Sequence, residues 1–249
     1  MSQVRTVFFC SVLLVSPLSV SANCDSPPQP RVNWSDCDKQ GENLKDAKLR
    51  EAVITRAKLQ KANLEKADLT GADLAFSDLQ EANLNKLRAR DSRLVGANLQ
   101  QVTARGAKLS EARLERAVLD NADFSQAQLD KAIFYNASLV ATNLTGANLT
   151  QAQLDEADLS EANLQDANLT QATLIKAILT DANLQNALLV KAKLNNADLS
   201  DADLRNADLQ GADLSNALLA GAQLEGAQLG NAMWTNRKRC RPGSVGVCR

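Results

Sequence analysis

The residues able to do chemistry in this 249-residue chain are few and unevenly placed. There is no histidine, so the commonest general base and the commonest metal ligand are both missing, and most hydrolytic triads and zinc sites go with them. Of five cysteines, Cys10 lies in an apolar N-terminal stretch, while Cys24, Cys37, Cys240 and Cys248 sit at the two ends of the chain. An even set of this kind reads as disulfides in an exported protein. Carboxylates recur at Asp198, Asp203, Asp208 and Asp213, but a cation site would need their oxygens to converge on one ion. Cations gather at Arg88, Arg90, Arg93, Lys108 and Arg113, and again at Arg237, Lys238, Arg239, Arg241 and Arg249. A net charge of −1 predicts no nucleic-acid partner. No Gly-rich phosphate loop, CxxC or GxSxG occurs. The chain reads as non-catalytic, with no cofactor and no metal.

The N-terminus carries Arg5, an apolar stretch from about Val7 to Val20, and the small-residue triplet Val20-Ser21-Ala22. That is the layout of a signal peptide over residues 1–22. The stretch is interrupted by Ser11, Ser16, Pro17 and Ser19, whereas a spanning helix needs about 20 apolar residues. Cleavage after Ala22 then leaves no membrane span. A lipid anchor on Cys24 is the rival reading, but Ser21 and Asn23 stand where such signals carry Leu and Gly or Ala. Export points to a periplasm, or to a thylakoid lumen in a photosynthetic source.

What must position these groups is a repeat. From about Glu42 to Trp234 every fifth residue is apolar, 33 of 39 being Leu, and two residues before each stands a small side chain, 33 times Ala. The register never slips. A period of five suits neither standard element. On an α-helix successive leucines would circle the surface, and in a straight strand they would alternate between faces. Turning the chain by about 90° once per unit keeps every leucine inside. Four units then close a coil, which stacks on the next about 4.8 Å above.

Runs such as Ala67-Asp68-Leu69-Thr70-Gly71, Ala162-Asn163-Leu164-Gln165-Asp166 and Ala207-Asp208-Leu209-Gln210-Gly211 resemble the pentapeptide-repeat family, whose motif is A(D/N)LXX. The resemblance covers nearly four-fifths of the chain. It implies an all-β fold, a right-handed quadrilateral parallel β-helix, with Leu and Ala inward and the other three positions facing solvent. Gly71, Gly96, Gly106, Gly146, Gly211, Gly221 and Gly226 fall two after the central residue, where a turn is needed. Leu87 with Ala89, and Val102 with Ala104, exchange large and small within one unit and so conserve volume. Phe124 and Phe134 overfill their layers.

About ten coils make a rod roughly 45–50 Å long. Its ends are then too far apart for a disulfide, whose Cα atoms lie about 4.4–6.8 Å apart, so the expected pairs are Cys24 with Cys37 and Cys240 with Cys248. The organisation expected is a signal peptide (1–22), an N-terminal cap (23–41), the solenoid (42–236) and a basic C-terminal cap or tail (237–249), with Trp34 and Trp234 as lids over the open hydrophobic ends. Residues twenty apart should stack. That places Arg88 beneath Lys108 and Arg93 beneath Arg113, with Arg90 at the corner between. The functional reading of this patch is a docking site for an acidic protein or an anionic envelope polymer; the plain reading is a solvated face beside Glu111 and Glu115. The four aspartates fall on four faces. The function expected is a rigid binding or scaffold rod in the cell envelope that can also pair as a homodimer through its ends. The alternative is a cytoplasmic DNA mimic that protects a topoisomerase, a role some family members play; the signal layout and the basic tail argue against it.

Overall fold

The computed structural model describes residues 22–249; the expected signal peptide lies, but for Ala22, outside the described residues. From Arg31 onward the chain repeats one five-residue unit with a single bridged residue at its second position. Each unit ends in a turn closed by the next small residue, as where Ala67 N donates to Leu64 O (3.0 Å) and Ala162 N to Leu159 O (3.0 Å). The fifth position of each unit from Arg31 to Asn231 is left-handed, with φ of 58° at Lys66 and 68° at Gly71. A type II turn requires this at its third residue, and glycine meets it without strain. Glycine therefore marks the corner but is not needed for it, since Glu51 and Ala141 both hold φ 54°.

Parallel bridges join residues twenty apart without interruption from Asn33 with Val53 to Asp213 with Met233. Four units thus form one coil, and four ladders run the length of a parallel β-helix. Each unit gives the coil above and the coil below their hydrogen bonds: Leu164 N donates to Asn183 O (2.7 Å) and Asn163 N to Thr142 O (2.9 Å). With the backbone satisfied between coils, the interior can be wholly apolar. Central Leu and first-position Ala are buried along the rod, as are Leu87, Ala89, Val102, Ala104, Phe124 and Phe134. Where a hydroxyl replaces the small alanine it is buried and bonded back to the backbone: Ser77 Oγ and Ser92 Oγ donate to Leu74 O and Ala89 O (both 2.6 Å), and Thr142 Oγ1 to Leu119 O (2.9 Å).

The solenoid starts earlier than the leucines suggest. Residues 31–41, expected within the cap, are the first half of the first coil. Their inward positions are Val32, Trp34, Cys37 and Lys39, which break the Ala/Leu pattern while keeping its register. Lys39 stands where Leu is the rule; its Nζ lies 4.8 Å from the Trp34 ring centroid and 3.1 Å from Glu42 Oε1. A cation over an aromatic face, with a carboxylate beside it, is how a lysine can be tolerated at an inward position.

Candidate functional site

The four aspartates take the four ladders in turn, and each carboxylate closes its own turn. Asp198 Oδ1 accepts from Ser200 N (3.0 Å), Asp208 Oδ1 from Gln210 N (3.0 Å) and Asp213 Oδ1 from Ser215 N (2.9 Å). Asp203 receives the guanidinium of Arg205 (2.6 Å), which holds its carboxyl below the usual carboxylate range. These are local turn bonds of the kind Asp and Asn make. Among the described residues no group of acidic or cysteine side chains is placed to hold a metal ion.

The arginine patch sits as the period dictates, with Arg88 bridged to Lys108 and Arg93 to Arg113. Its charge is spent locally. Arg88 reaches Asp68 (3.4 Å), Arg90 reaches Glu111 (2.6 Å) and Asp91 (3.3 Å), Arg93 reaches Asp73 (3.0 Å) and Arg113 reaches Glu115 (2.8 Å). Of the five, Lys108 alone has no carboxylate within ion-pair distance among the described residues. At Asp68 burial works to raise the carboxyl pKa, but the Thr70 hydroxyl and amide, Arg88 and Arg50 outweigh it and hold the group low. The surface is therefore a set of mixed-sign ladders. The acids that pair with Arg88 and Arg93, Asp68 and Asp73, lie one coil below them, and the period of twenty was the signal that could have found them.

The ends are built differently. At the N-terminal end Cys24 and Cys37 are bonded, with Cα atoms 5.4 Å apart, and Trp34 is fully buried with Nε1 donating to Ser26 O (3.1 Å). At the C-terminal end Cys240 and Cys248 are bonded, with Cα atoms 4.9 Å apart. The tail folds back antiparallel on two of the four ladders, Val245 against Gln228 and Arg239 against Met233. Trp234 there is only half-buried. The other two ladders end bare. The amides of Leu219, Gly221, Leu224 and Gly226 have no partner among the described residues, and Leu218 is 57% exposed. None of the five tail cations, nor Lys191, is ion-paired among the described residues. Among the described residues Lys48, Lys86, Lys108, Arg116, Lys131 and Lys193 are also without an ion pair, but at the C-terminal end Lys191 and Arg239 line one cavity, a point sequence order could not show, because only the returning tail brings them there.

No curated protein matches the chain. Among solved structures, it is similar to HetL, a pentapeptide repeat protein involved in heterocyst differentiation regulation from the cyanobacterium Nostoc sp. strain PCC 7120, at 32% identity over 84% of this chain and 92% of that one, with a TM-score of 0.45. It is also similar to a trypsin-treated form of QnrB1, a plasmid-mediated fluoroquinolone resistance protein, at 20% identity over 70% of this chain and 89% of that one, with a TM-score of 0.58. The model of pentapeptide repeats matches residues 47–85, 97–136, 137–174, 167–206 and 197–232. Those segments span well over half of the sequence, in the same five-residue register that the coils display, and the chain therefore belongs to the pentapeptide-repeat family.

Proposed function

We propose that this protein is a non-catalytic, exported rod that acts as a binding or scaffold module in the cell envelope, in a periplasm or a thylakoid lumen. The observation that carries the reading is the pair of disulfides, one tying the N-terminal segment to the first coil through Cys37 and one closing a loop within the C-terminal tail. Such bonds persist in oxidising compartments and are rare in the cytosol. The layout of residues 1–22 supports the same compartment. The likeness to QnrB1 is one of fold, and fold does not transfer function.

Self-pairing is part of this reading and uses the C-terminal end. Asp38, Asn43 and Lys48 front the first coil, and charged residues blunt a sheet edge against addition. The last coil offers Leu218, Leu219 and Leu224 beside unpaired amides. Two such ends meeting about a two-fold axis form a closed dimer, where head-to-tail stacking would give a filament.

The intact mass of the protein from its native host, with and without reduction and alkylation, tests the reading. A chain that starts at Asn23 and carries two disulfides supports it. An uncleaved, fully reduced chain would overturn it and turn attention to the cytoplasmic topoisomerase-protecting alternative.

A further inference from the structure

At the C-terminal third of the rod, one corner of the coils is notched. Glycine at the fifth position recurs along the rod, but here Gly211 at the fifth position of one coil and Gly230 at the fourth position of the next fall together and leave a cavity of about 410 Å³. That is at the small end of the range that holds small-molecule ligands, roughly 300–1,000 Å³. The stem of Lys191 lies over Gly211, where its Cγ would be 3.4 Å from an added Cβ. The returning tail closes the other side: Arg239 donates from Nη1 to Asn231 O (3.0 Å), and the backbone of Gly243 approaches Gly230.

The charges of this notch are free in a way those of the arginine patch are not. Neither Lys191 nor Arg239 is ion-paired among the described residues. The acids that flank this corner, Asp208 and Asp213, are engaged in their own turns by Gln210 N and by the Ser215 amide and hydroxyl. Two backbone donors are also unused. In several coils the amide at the position of Gly230 is taken by an Asn or Asp two residues earlier, as Asp208 takes Gln210 and Asn168 takes Thr170; ahead of Gly230 that residue is Gln228, whose amide turns to Gly226 O instead. The Asn231 amide would donate to a next coil, and the solenoid has ended. The residues that line this one cavity thus carry two cations, two unpartnered backbone amides and the side chains of Gln210 and Asn231, with no carboxylate among them.

We propose that this notch binds an oxyanion carried on a sugar-sized polar body, a carboxylate or a phosphate ester, with Lys191 and Arg239 taking its charge. The cavity exceeds what a bare inorganic ion would fill, and its remaining lining is Gln210, Asn231, two glycines and Val190, so that amides suited to hydroxyl groups stand beside one apolar side chain suited to the carbon face of a sugar. Neither the family's repeat nor the scaffold reading requires it, since the notch depends on two glycines and on the tail of this chain.

The test is calorimetric titration of the full chain with glucuronate, glucose 6-phosphate, inorganic phosphate and, as the uncharged control, glucose. Binding of either charged sugar, weaker binding of inorganic phosphate and none of glucose are expected, and which charged sugar binds identifies the source of the oxyanion. Lys191→Gln and Arg239→Gln should each weaken binding about tenfold or more, the loss expected for one charge-assisted hydrogen bond. Gln already occupies the position of Lys191 in the coils below, at Gln151 and Gln171, so the first variant keeps the corner intact. The proposal fails if neither charged sugar binds at millimolar concentration, if glucose or inorganic phosphate binds as well as they do, or if both variants bind like the parent.

Discussion

Up to Asp123 the coils are braced on the outside by ion pairs that step from one coil to the next, as in Arg31 with Glu51 and Arg56 with Asp36 (both 2.7 Å) and Lys45 with Glu65 (2.8 Å). Beyond it, only Lys176 with Glu156 and Arg205 with Asp203 are ion-paired among the described residues. Amide ladders carry the bracing there: Gln151 with Gln171 (2.9 Å), Asn186 with Asp166 (3.0 Å) and Asn216 with Asn196 (3.2 Å). Inside, nothing changes. Leu69 N donates to Arg88 O at 2.6 Å and Leu169 N to Leu188 O at 2.7 Å, and both leucines are fully buried. The backbone ladder and the Ala/Leu interior fix the coil, so the outward positions are free to exchange charge for amide. Exposed ion pairs contribute at most about 1 kcal/mol each, too little to set the architecture.

The sharpest way to break this comparison is to make the same cavity in each half. Leu69→Ala and Leu169→Ala should each cost about 2–5 kcal/mol and differ by less than about 1 kcal/mol, measured as lost hydrogen-exchange protection in the adjacent coils. A gap of several kcal/mol would mean that the outer charges do shape the interior. The ends come next. Replacing Cys24 and Cys37 with Ser opens a loop with a separation of 13 residues, worth about 3 kcal/mol in the chain-entropy picture. Replacing Cys240 and Cys248 opens one of 8, worth about 2.5 kcal/mol. Each should fray its own end only, because a solenoid coil contacts only its neighbours; fraying that spreads to the far end would contradict it.

The interior of both halves was legible in the sequence because one geometric rule acts at every fifth residue. The corner position was half legible. Gly71 and Gly211 advertise a left-handed φ, whereas Glu51 and Ala141 adopt it under compulsion from the ladder above and below. The start of the first coil was hidden because Lys39 breaks the apolar pattern; only the pairing with Trp34 and Glu42 explains it. The candidate site was the least legible part. Whether Arg93 is free depends on Asp73 one coil away, and whether Arg239 reaches the notch depends on a hairpin return that no repeat specifies.

Acid should separate the halves more gently. Burial raises the carboxyl pKa at Asp68 and at Asp123, but the hydrogen bonds and arginines around each outweigh it, so both groups titrate below their ordinary 3.8. Hydrogen bonds from Arg56 and Arg31 lower Asp36 and Glu51 likewise. A depressed folded pKa gives stability that is present above the unfolded value and is lost as pH falls through the folded one. Because these groups concentrate before Asp123, taking the protein from pH 6 to below about 3.8 should loosen exchange in the first half before the second. Molar salt at neutral pH, which shortens screening to about 3 Å, should tilt the halves the same way. Equal loss in both halves under acid would sink the idea.

The smallest effect compares two corners. Ala141 holds φ 54° with no polar side chain to stack on its neighbours, and Glu51 holds φ 54° while its carboxylate takes Arg31 at 2.7 Å. A left-handed residue with a Cβ costs about 1–2 kcal/mol, which glycine removes while giving back about 0.5–1 kcal/mol in chain entropy. Ala141→Gly should therefore stabilise the rod by about 0.5–1 kcal/mol, read from denaturant unfolding. Glu51→Gly relieves the same strain but forfeits its ion pair, so it should gain less, and the difference between the two variants measures what one outer charge contributes. If Ala141→Gly destabilises instead, the corner is not strained, and the ladder imposes its φ at no cost to the residue that adopts it.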